Sequence, residues 1–335
     1  MNELNNLGEF GLIDLIKEDT INDHSSVVVG IGDDAAVVLP TPRQLQLLTA
    51  DMLVEAIHFD LTTTTPWQLG YKAVAVNLSD IAAMGGAPRH AVVSVALPRS
   101  IPVDFVVNLY KGMKEICREF GVNIVGGDTV SSPQGLVINV TVTGEVEPAN
   151  VVLRSGARPG DVVAVTGNLG SSAAGLDLLQ AGEWADDAFA WPLVTAHLTP
   201  RPQVKTGQLL AALGATSMDD VSDGLASEAH EIAKASQVGI KLYSDKIPLA
   251  PELAGAAAKF NKQAIDYALF GGEDFQLVFT MEQGKYETLQ ADHPELRVIR
   301  VGEVVDASEG VTLVDETGQV KKLEPRGFNH FRQEE

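Results

Sequence analysis

The sequence predicts a two-domain protein of the α+β class, and three observations carry that reading. The 335-residue chain is about twice the usual domain length, which suggests two domains of about 150 residues each. In its first half, strand candidates arrive in pairs between helices, whereas a doubly wound sheet would alternate them singly. Glu147-Pro148-Ala149-Asn150 and Arg158-Pro159-Gly160 punctuate the middle of the chain, which puts the boundary near residue 150 and the domains at 1–150 and 151–335.

Near the start, Glu9 to Lys17 carries Phe10, Ile13 and Ile16 at helical spacing and reads as a short amphipathic helix. The stretch VVVGIGDDAAVV (27–38) follows, with two apolar runs, Val27–Val29 and Ala36–Leu39, of the β-branched character of buried strands. Between them a Gly-Ile-Gly bend delivers Asp33 and Asp34. Adjacent carboxylates at a bend suggest a metal; strand-like alternation would aim only one of them at the ion. A solvated turn is the commoner fate of such a tripeptide. Gln44 to Thr49 is a further strand, and Ala50-Asp51 would lie just past its end, a common place for a ligand.

Trp67 to Met84 is the clearest helix, stopped by Gly85-Gly86 and Pro88. Leu69, Ala73, Val76, Asp80 and Met84 share one stripe, so Asp80 lies on the apolar face. A carboxylate there needs a cation, a metal or a shell of donors; a backbone amide or Lys72 would serve as well as a metal. His90–Leu97 reads as a strand and Val103–Phe120 as a helix. Val122–Val125 is a strand running into Gly126-Gly127-Asp128-Thr129, and Leu136–Val146 alternates as the last strand of this half.

The second half opens with the strand Asp161–Val165, then TGNLGSSAAG (166–175), a glycine-rich loop and helix start. Free amides at a helix N-terminus suit an anion, but Ser171 or Ser172 capping the helix is the preferred reading of the loop alone. No Gly-Lys-Ser/Thr follows, so it is not a Walker A loop; Gly30-Ile31-Gly32 lacks the third glycine of a dinucleotide fingerprint. Asp219, Asp220 and Asp223 precede a helix running to Ser236, where the helix dipole favours acids in any case. Phe270-Gly271-Gly272-Glu273-Asp274 leads into a strand, Phe275–Thr280, echoing the earlier Gly-Gly-Asp.

Lys plus Arg number 24 against 45 Asp plus Glu, a net charge of −21, and no basic stripe is present, which disfavours nucleic acid as a partner. An acidic protein still binds nucleotides when divalent cations neutralise both sides. Cys117 is the only cysteine, which excludes an internal disulfide and a thiolate zinc cluster and agrees with a reducing compartment. The opening MNELNNLGEF has no basic segment followed by an apolar one, and no apolar run approaches the roughly 18 residues of a membrane helix, so the expectation is a cytoplasmic protein with no membrane partner.

Taken together, the carboxylates Asp33, Asp34, Asp51, Asp80, Asp128, Asp219, Asp220, Asp223, Glu273 and Asp274 mostly fall at expected strand ends or helix starts. Oxygen-only ligands suit magnesium rather than zinc or copper. So many carboxylates would repel one another unless several cations and a polyphosphate balanced them. A metal-dependent hydrolase is the other chemistry this composition allows, but the histidines are scattered, with no close His-Asp pairing in the sequence.

The assembled motifs resemble the thiamine-monophosphate kinase family. That family shares a superfamily with aminoimidazole ribonucleotide synthetase, selenophosphate synthetase and a hydrogenase-maturation protein. The resemblance covers nearly the whole chain and is carried by GEFGLI (8–13), GIGDDAAVV (30–38), TADMLVEAIHF (49–59), YKAVAVNLSDIAAMGG (71–86), GGDT (126–129), RSGARPGD (154–161), TGNLGSSAAGL (166–176), DVSDGL (220–225) and GGEDF (271–275). His58-Phe59, the NLSD helix and the terminal RGFNHF are similar to the thiamine-monophosphate enzymes in particular, and the N-terminal reactive cysteine of selenophosphate synthetases is missing here.

The resemblance implies a two-domain aminoimidazole ribonucleotide synthetase-like fold. Its N-terminal domain would pair its sheet across a homodimer, and its C-terminal domain would be α/β. It implies transfer of the γ-phosphoryl of ATP to thiamine monophosphate, with ATP as co-substrate and several Mg2+ ions. By motif position, Asp34, Thr49, Asp51, Asp80, Asp128, Asp220 and Asp223 would hold magnesium, and Ala50 would offer only its backbone carbonyl, where the family usually has a hydroxyl residue. Gly127, Asp128, Arg154 and Ser222 would contact ATP; His58, Glu273 and Phe328 would line the substrate pocket. No residue would act as general base, and Asp51 and Asp128 would support transfer through the metal. A sister enzyme would keep the ATP and magnesium residues without the thiamine pocket; a non-catalytic cation-binding protein would not need Arg154 or the glycine loop.

Overall fold

The computed structural model describes residues 3–182 and 184–327, so Phe328 lies outside the described residues. By its internal contacts the chain divides into two units, one of residues 1–81 and 86–149, the other of residues 82–85 and 150–335.

The first unit runs α1 (Glu3–Ile16), β1 (Val27–Val29), β2 (Val37–Val38), β3 (Leu45–Val54), α2 (Pro66–Ala83), β4 (Ala87–Pro98), α3 (Val103–Phe120), β5 (Asn123–Ser132) and β6 (Val137–Val146). Its sheet has the order β3-β6-β4-β5, with β4 and β5 parallel and the other neighbours antiparallel. Helix α2 starts with a capping box: Thr65 Oγ1 accepts from Gln68 N at 3.3 Å while Gln68 Oε1 accepts from Thr65 N at 3.0 Å, and Pro66 fills the first turn, where no amide partner is needed. Its stripe is buried as its spacing predicts, with Leu69, Ala73 and Val76 at 1%, 1% and 5% exposure. Those side chains and Val93, Val95, Ile138 and Val140 of the sheet make one apolar layer.

Several expectations for this unit need correction. Strand β3 does not end before Asp51: it continues to Val54, paired residue for residue with β6. Likewise Gly126-Gly127-Asp128-Thr129 lies inside β5, because β4 supplies partners as far as Ser132. Gly127 is required there by close approach, since a Cβ would come 1.8 Å from Val93 O. The Val28, Val37 and Leu39 side chains are exposed at 57%, 48% and 56%, since β1 and β2 form a two-stranded ribbon with no layer of the unit over them. Asp33 and Asp34 sit in the turn of that ribbon, so strand alternation does not apply to them.

The second unit runs β7 (Val162–Thr166), α4 (Ser171–Ala181), α5 (Ala190–Leu198), α6 (Val204–Leu213), β8 (Ser217–Asp220), α7 (Leu225–Ser236), β9 (Gly239–Tyr243), α8 (Leu253–Phe260), α9 (Ala264–Phe270), β10 (Leu277–Met281), α10 (Gln283–Asp292), β11 (Val298–Val305), β12 (Val311–Val314) and β13 (Val320–Lys322). Its seven-stranded sheet has the order β13-β12-β9-β11-β7-β10-β8 and is mixed, with β12 parallel to β9 and the remaining pairs antiparallel. Val163, Val165, Val278 and Val301 of the sheet pack against Leu225, Ala229 and Ile232 of α7. Leu178, Leu193, Val194, Leu253 and Tyr267 form a second core among α4, α5, α8 and α9. Strand β10 begins at Leu277, later than expected, because Glu273 and Phe275 take left-handed backbone at φ 65° and 49° and hold the Gly-Gly-Glu-Asp-Phe segment out of strand geometry. Among the described residues no helix is long and apolar enough to cross a membrane.

Candidate active site

In the first unit the structure brings Thr49, Asp51 and Asp80 together. Thr49 and Asp51 are two apart on β3, so both point to the face covered by α2, where Asp80 stands. Thr49 Oγ1 donates to Asp80 Oδ2, and Asp51 is hydrogen-bonded to Asp80 as well. Burial first, and then the charge and hydrogen bond of Asp80, push the Asp51 carboxyl up to about 7. Two carboxyl groups side by side, beside a hydroxyl, make a set of hard oxygen donors that a divalent cation can bridge, a fit to magnesium rather than to a thiolate-seeking metal.

The neighbouring candidates face elsewhere. Ala50 belongs to the opposite, open face of the sheet. Asp128, exposed, shares that face through its register with Ser94, and its Oδ1 accepts from Thr129 N at 2.8 Å. Alternation thus separates Asp128 from the Asp51 side chain, and the two expected metal supports do not converge within this unit. Asp34 is exposed on the β1–β2 turn, where its amide donates to Asp33 Oδ1 at 2.9 Å. His58 closes a tight turn after β3: its Nδ1 accepts from Val54 N at 3.0 Å, which assigns the proton of the neutral ring to Nε2.

In the second unit two loops clasp each other. Glu273 N donates to Ser222 O at 2.7 Å and Phe275 N to Val221 O at 2.9 Å, joining DVSDGL to GGEDF. Asp220 ends β8 and is buried; Ser222 and Asp223 are half-buried in the loop that follows. Gly327 lies against this loop, with room for no Cβ beside Asp223 O at 2.6 Å, so the chain is led past Asp223 just before Phe328. Arg154 is anchored by its Nε to Asp219 Oδ2 at 2.8 Å, with a side chain that is 55% exposed.

Two residues here, Glu228 and His197, are absent from the sequence reading, and a third, Asp274, counted there among the candidate metal carboxylates, has another role. Glu228, buried on α7, accepts from Ser222 N at 3.1 Å and from Asp223 N at 2.7 Å and so shapes the loop. Burial and the Asp219 charge raise its carboxyl to about 8 against those two amides. Its position on the Leu225, Ala229, Ile232 stripe was the available signal. Asp274, buried, accepts from Gly170 N at 2.5 Å and Ser172 N at 3.1 Å. The amides of the glycine-rich loop are therefore filled by a carboxylate of the chain itself, and neither a serine cap nor an external anion is needed there; burial raises Asp274 to about 7 even so. His197, buried at the end of α5, sets Nδ1 at 3.1 Å from Ser172 Oγ and 3.3 Å from Glu273 Oε2.

That last group gives a histidine and a carboxylate in contact where none was expected, yet it is not a hydrolase triad. Serine and carboxylate address the same ring nitrogen, whereas a relay needs both nitrogens, and Ser172 is fully buried. Among the described residues no three His, Cys, Asp or Glu side chains form a group able to hold a metal by themselves, so a bound ion would draw on hydroxyl, backbone or phosphate oxygens too.

Comparison with known proteins agrees with this architecture. Residues 32–146 match the family described as "AIR synthase related protein, N-terminal domain" and residues 158–315 the one described as "AIR synthase related protein, C-terminal domain". The chain is 40% identical to thiamine-monophosphate kinase of Bacillus subtilis, over 97% of this chain and 100% of that protein. It is 40% identical to thiamine-monophosphate kinase of Aquifex aeolicus, over 98% and 99%. Among solved structures it is similar to AaThiL complexed with AMPPCP and TMP, with a TM-score of 0.79 and 39% identity over 98% of both chains. A thiamine-monophosphate kinase from Stenotrophomonas maltophilia gives a TM-score of 0.82 at 33% identity, over 91% of this chain and 96% of that one. The hydrogenase maturation protein HypE of E. coli, at 21% identity and a TM-score of 0.78, shares the fold.

Proposed function

From the thiamine-monophosphate kinase family, to which this chain belongs, we infer that the protein transfers the γ-phosphoryl group of ATP to thiamine monophosphate, giving thiamine diphosphate and ADP. The end-to-end likeness to a relative bound to an ATP analogue and TMP carries this reading.

The chemistry asks little of a general base. The nucleophile is a phosphate monoester oxygen with a second pKa of about 6, already largely ionised at neutral pH. The obstacle is repulsion between two anions. Magnesium bound at the candidate carboxylates would neutralise the phosphates and the charge that develops between them. Thr49, Asp51 and Asp80 are the best-supported holders, since they already form one oxygen cluster; Asp34, Asp128, Asp220 and Asp223, and the carbonyl of Ala50, are proposed as further ligands on the motif pattern. Asp51 and Asp128 would assist transfer through the metal.

For ATP we assign Gly127, Asp128, Arg154 and Ser222. The backbone of Ser222 is engaged on both sides, donating to Glu228 and accepting from Glu273, so its contact with ATP falls to the hydroxyl. Arg154, oriented by Asp219 but exposed, would offer its remaining guanidinium donors to phosphate. For thiamine monophosphate we assign His58, as an Nε2–H donor, with Glu273 and Phe328. The first domain, 1–150, would then carry magnesium and the dimer contact, and the second, 151–335, would complete the nucleotide and substrate sites.

A homodimer is supported by the open face of the β3-β6-β4-β5 sheet, where Leu48, Met52, Val92 and Val130 are 73%, 53%, 39% and 50% exposed. A cytoplasmic location fits the single buried thiol of Cys117. The test is incubation with ATP, magnesium and either thiamine monophosphate or thiamine, with products resolved by chromatography. Thiamine diphosphate formed from the monophosphate alone is the expected result; ATP binding without turnover of either compound would overturn the substrate assignment.

A further inference from the structure

Asp274 fills the Gly170 and Ser172 amides of the glycine-rich segment after β7, and this tie also restrains its chain neighbour, Glu273. Glu273 is fixed at three points. Its amide donates to Ser222 O at 2.7 Å, its neighbour Asp274 is locked to Gly170 N and Ser172 N, and its carboxylate Oε2 lies 3.3 Å from His197 Nδ1.

The protonation of His197 follows from its neighbours. A ring nitrogen facing a carboxylate oxygen at hydrogen-bond range carries the hydrogen, because lone pair against lone pair would repel. Nδ1–H is therefore directed to Glu273 Oε2 and shared with Ser172 Oγ at 3.1 Å. The His197 side chain is 6% exposed and the Glu273 side chain 27% exposed, so the donor is sheltered and the acceptor reaches the surface of the unit.

Backbone strain fits the same picture. Glu273 and Phe275, neither a glycine, are held at φ 65° and 49°. Gly271 and Gly272 pack so closely that a Cβ would meet Tyr267 O and Ser222 O, each at 2.4 Å. A loop kept in an unfavourable conformation by so many ties is one whose side-chain direction matters.

We propose that His197 is a positioning residue for the phosphate acceptor: it fixes the Glu273 carboxylate as an oriented acceptor for the organic part of thiamine monophosphate, a cationic thiazolium joined to an amino-bearing pyrimidine, with the glycine-rich segment 166–175 as the socket of this arrangement. The inference rests on the assignment of Glu273 to the substrate pocket. His197 touches no reacting atom, so its removal weakens capture of the acceptor and leaves phosphoryl transfer at saturation intact.

The test is steady-state kinetics with each substrate varied in turn, on the full chain and its His197→Phe, His197→Asn and Glu273→Gln variants and the His197→Phe/Glu273→Gln double variant. Phenylalanine keeps the ring without the donor, and asparagine returns an N–H near the place of Nδ1. His197→Phe is expected to raise KM for thiamine monophosphate roughly tenfold to a hundredfold, the range of a lost hydrogen bond to a charged group, with KM for ATP and kcat within about twofold. His197→Asn should recover most of that loss, and the double variant should be no worse than Glu273→Gln, because both act through one contact.

If Glu273→Gln raises KM for thiamine monophosphate and His197→Phe does not, the positioning role is overturned while the pocket assignment stands. An unchanged KM in Glu273→Gln overturns both. Equal losses in His197→Phe and His197→Asn, additive effects in the double variant, or failure of both His197 variants to fold would make the histidine a packing residue and overturn the proposal.

Discussion

Asp51 on β3 and Asp80 on α2 are hydrogen-bonded carboxyl to carboxyl, and burial with their mutual repulsion lifts Asp51 from 3.8 to about 7. The sign of the consequence follows. A raised folded-state pKa means that the native protein binds a proton more tightly than the unfolded chain between those two values, so this pair favours folding at low pH and loses that contribution as pH rises toward 7. In the presence of a chelator, Tm should fall across that interval. Millimolar magnesium should recover it by a few degrees, on the order of 5 °C, chiefly at the upper end. Asp80→Asn should flatten the slope. Scanning calorimetry at several pH values reads it; a magnesium shift that is the same at pH 5 and pH 8 would remove these carboxylates from the cation site.

Catalysis separates the two faces of the same sheet. Asp51→Asn and Asp128→Asn should each lower kcat by on the order of a hundredfold or more, the scale of losing a charge that organises the transition state. Asp128→Asn should change Tm in magnesium little, because Asp128 is exposed, and Asp51→Asn should keep the fold while losing part of the magnesium-dependent gain in Tm. Near-normal turnover in Asp128→Asn would confine the chemistry to the α2 side.

Helices α2 and α3 meet at glycines. A Cβ on Gly70 would lie 1.9 Å from Leu109 O, and one on Gly112 would lie 1.9 Å from Trp67 O. Neither neighbour is the end of a flexible side chain, so the helices must separate to admit a methyl group. Gly112→Ala should destabilise the first unit by about 3 kcal/mol and lower Tm by roughly 10 °C. A Tm within a degree of the parent would show that the helices are not so closely apposed.

How much could be read beforehand depended on where the partners were. The α2 and α3 segments declare themselves, because their apolar stripes recur locally and Gly85-Gly86 and Gly121 stop them. Strands β3 and β5 were read short because Asp51, Gly126-Gly127 and Asp128 look like terminators. On a sheet with one open face, a carboxylate or a glycine can sit in mid-strand, and only the β6 and β4 partners reveal it. Val28, Val37 and Leu39 read as buried since sequence shows hydrophobicity but not whether anything lies above it. The loops carrying Asp220, Ser222 and Glu273 were legible as motifs. What shapes them was not: Glu228 is recognisable only from a helical stripe, while Asp274 and His197 act on residues about a hundred or fewer positions away that no local pattern connects.

Acid stability should depend on Glu145. Burial alone would raise its carboxyl, but donors from Thr41 (Oγ1 at 2.5 Å, N at 2.8 Å), Gln46 and Arg89 outweigh it and hold it at about 2. A depressed folded-state pKa stabilises the fold above the ordinary carboxylate value of 4.5 and loses that contribution as pH falls toward 2. Urea melts from pH 7 to pH 2.5 should show this loss. Glu145→Gln should cost about 1–3 kcal/mol at pH 7 and show a shallower decline in acid, since an amide cannot satisfy all those donors and does not titrate. An equally steep acid limb in the variant would place the titration elsewhere.

The open sheet face makes the last prediction. Leu48 and Met52 alternate with Thr49 and Asp51 on β3, so the same strand offers oxygen ligands to α2 and apolar side chains outward. With Val92 and Val130 they expose apolar surface on this face of the sheet that water would otherwise meet and that a second copy of the face can cover. Leu48→Glu places a charge in the middle of it. The variant should run as a monomer on size-exclusion chromatography with light scattering at concentrations where the parent is a dimer, and its helix content should be unchanged because the side chain touches nothing within the unit's core. Activity should fall with dimerisation if the pairing of these faces holds Asp128 in place, and the two losses should follow one concentration dependence. A Leu48→Glu protein that remains dimeric would move the interface away from this sheet.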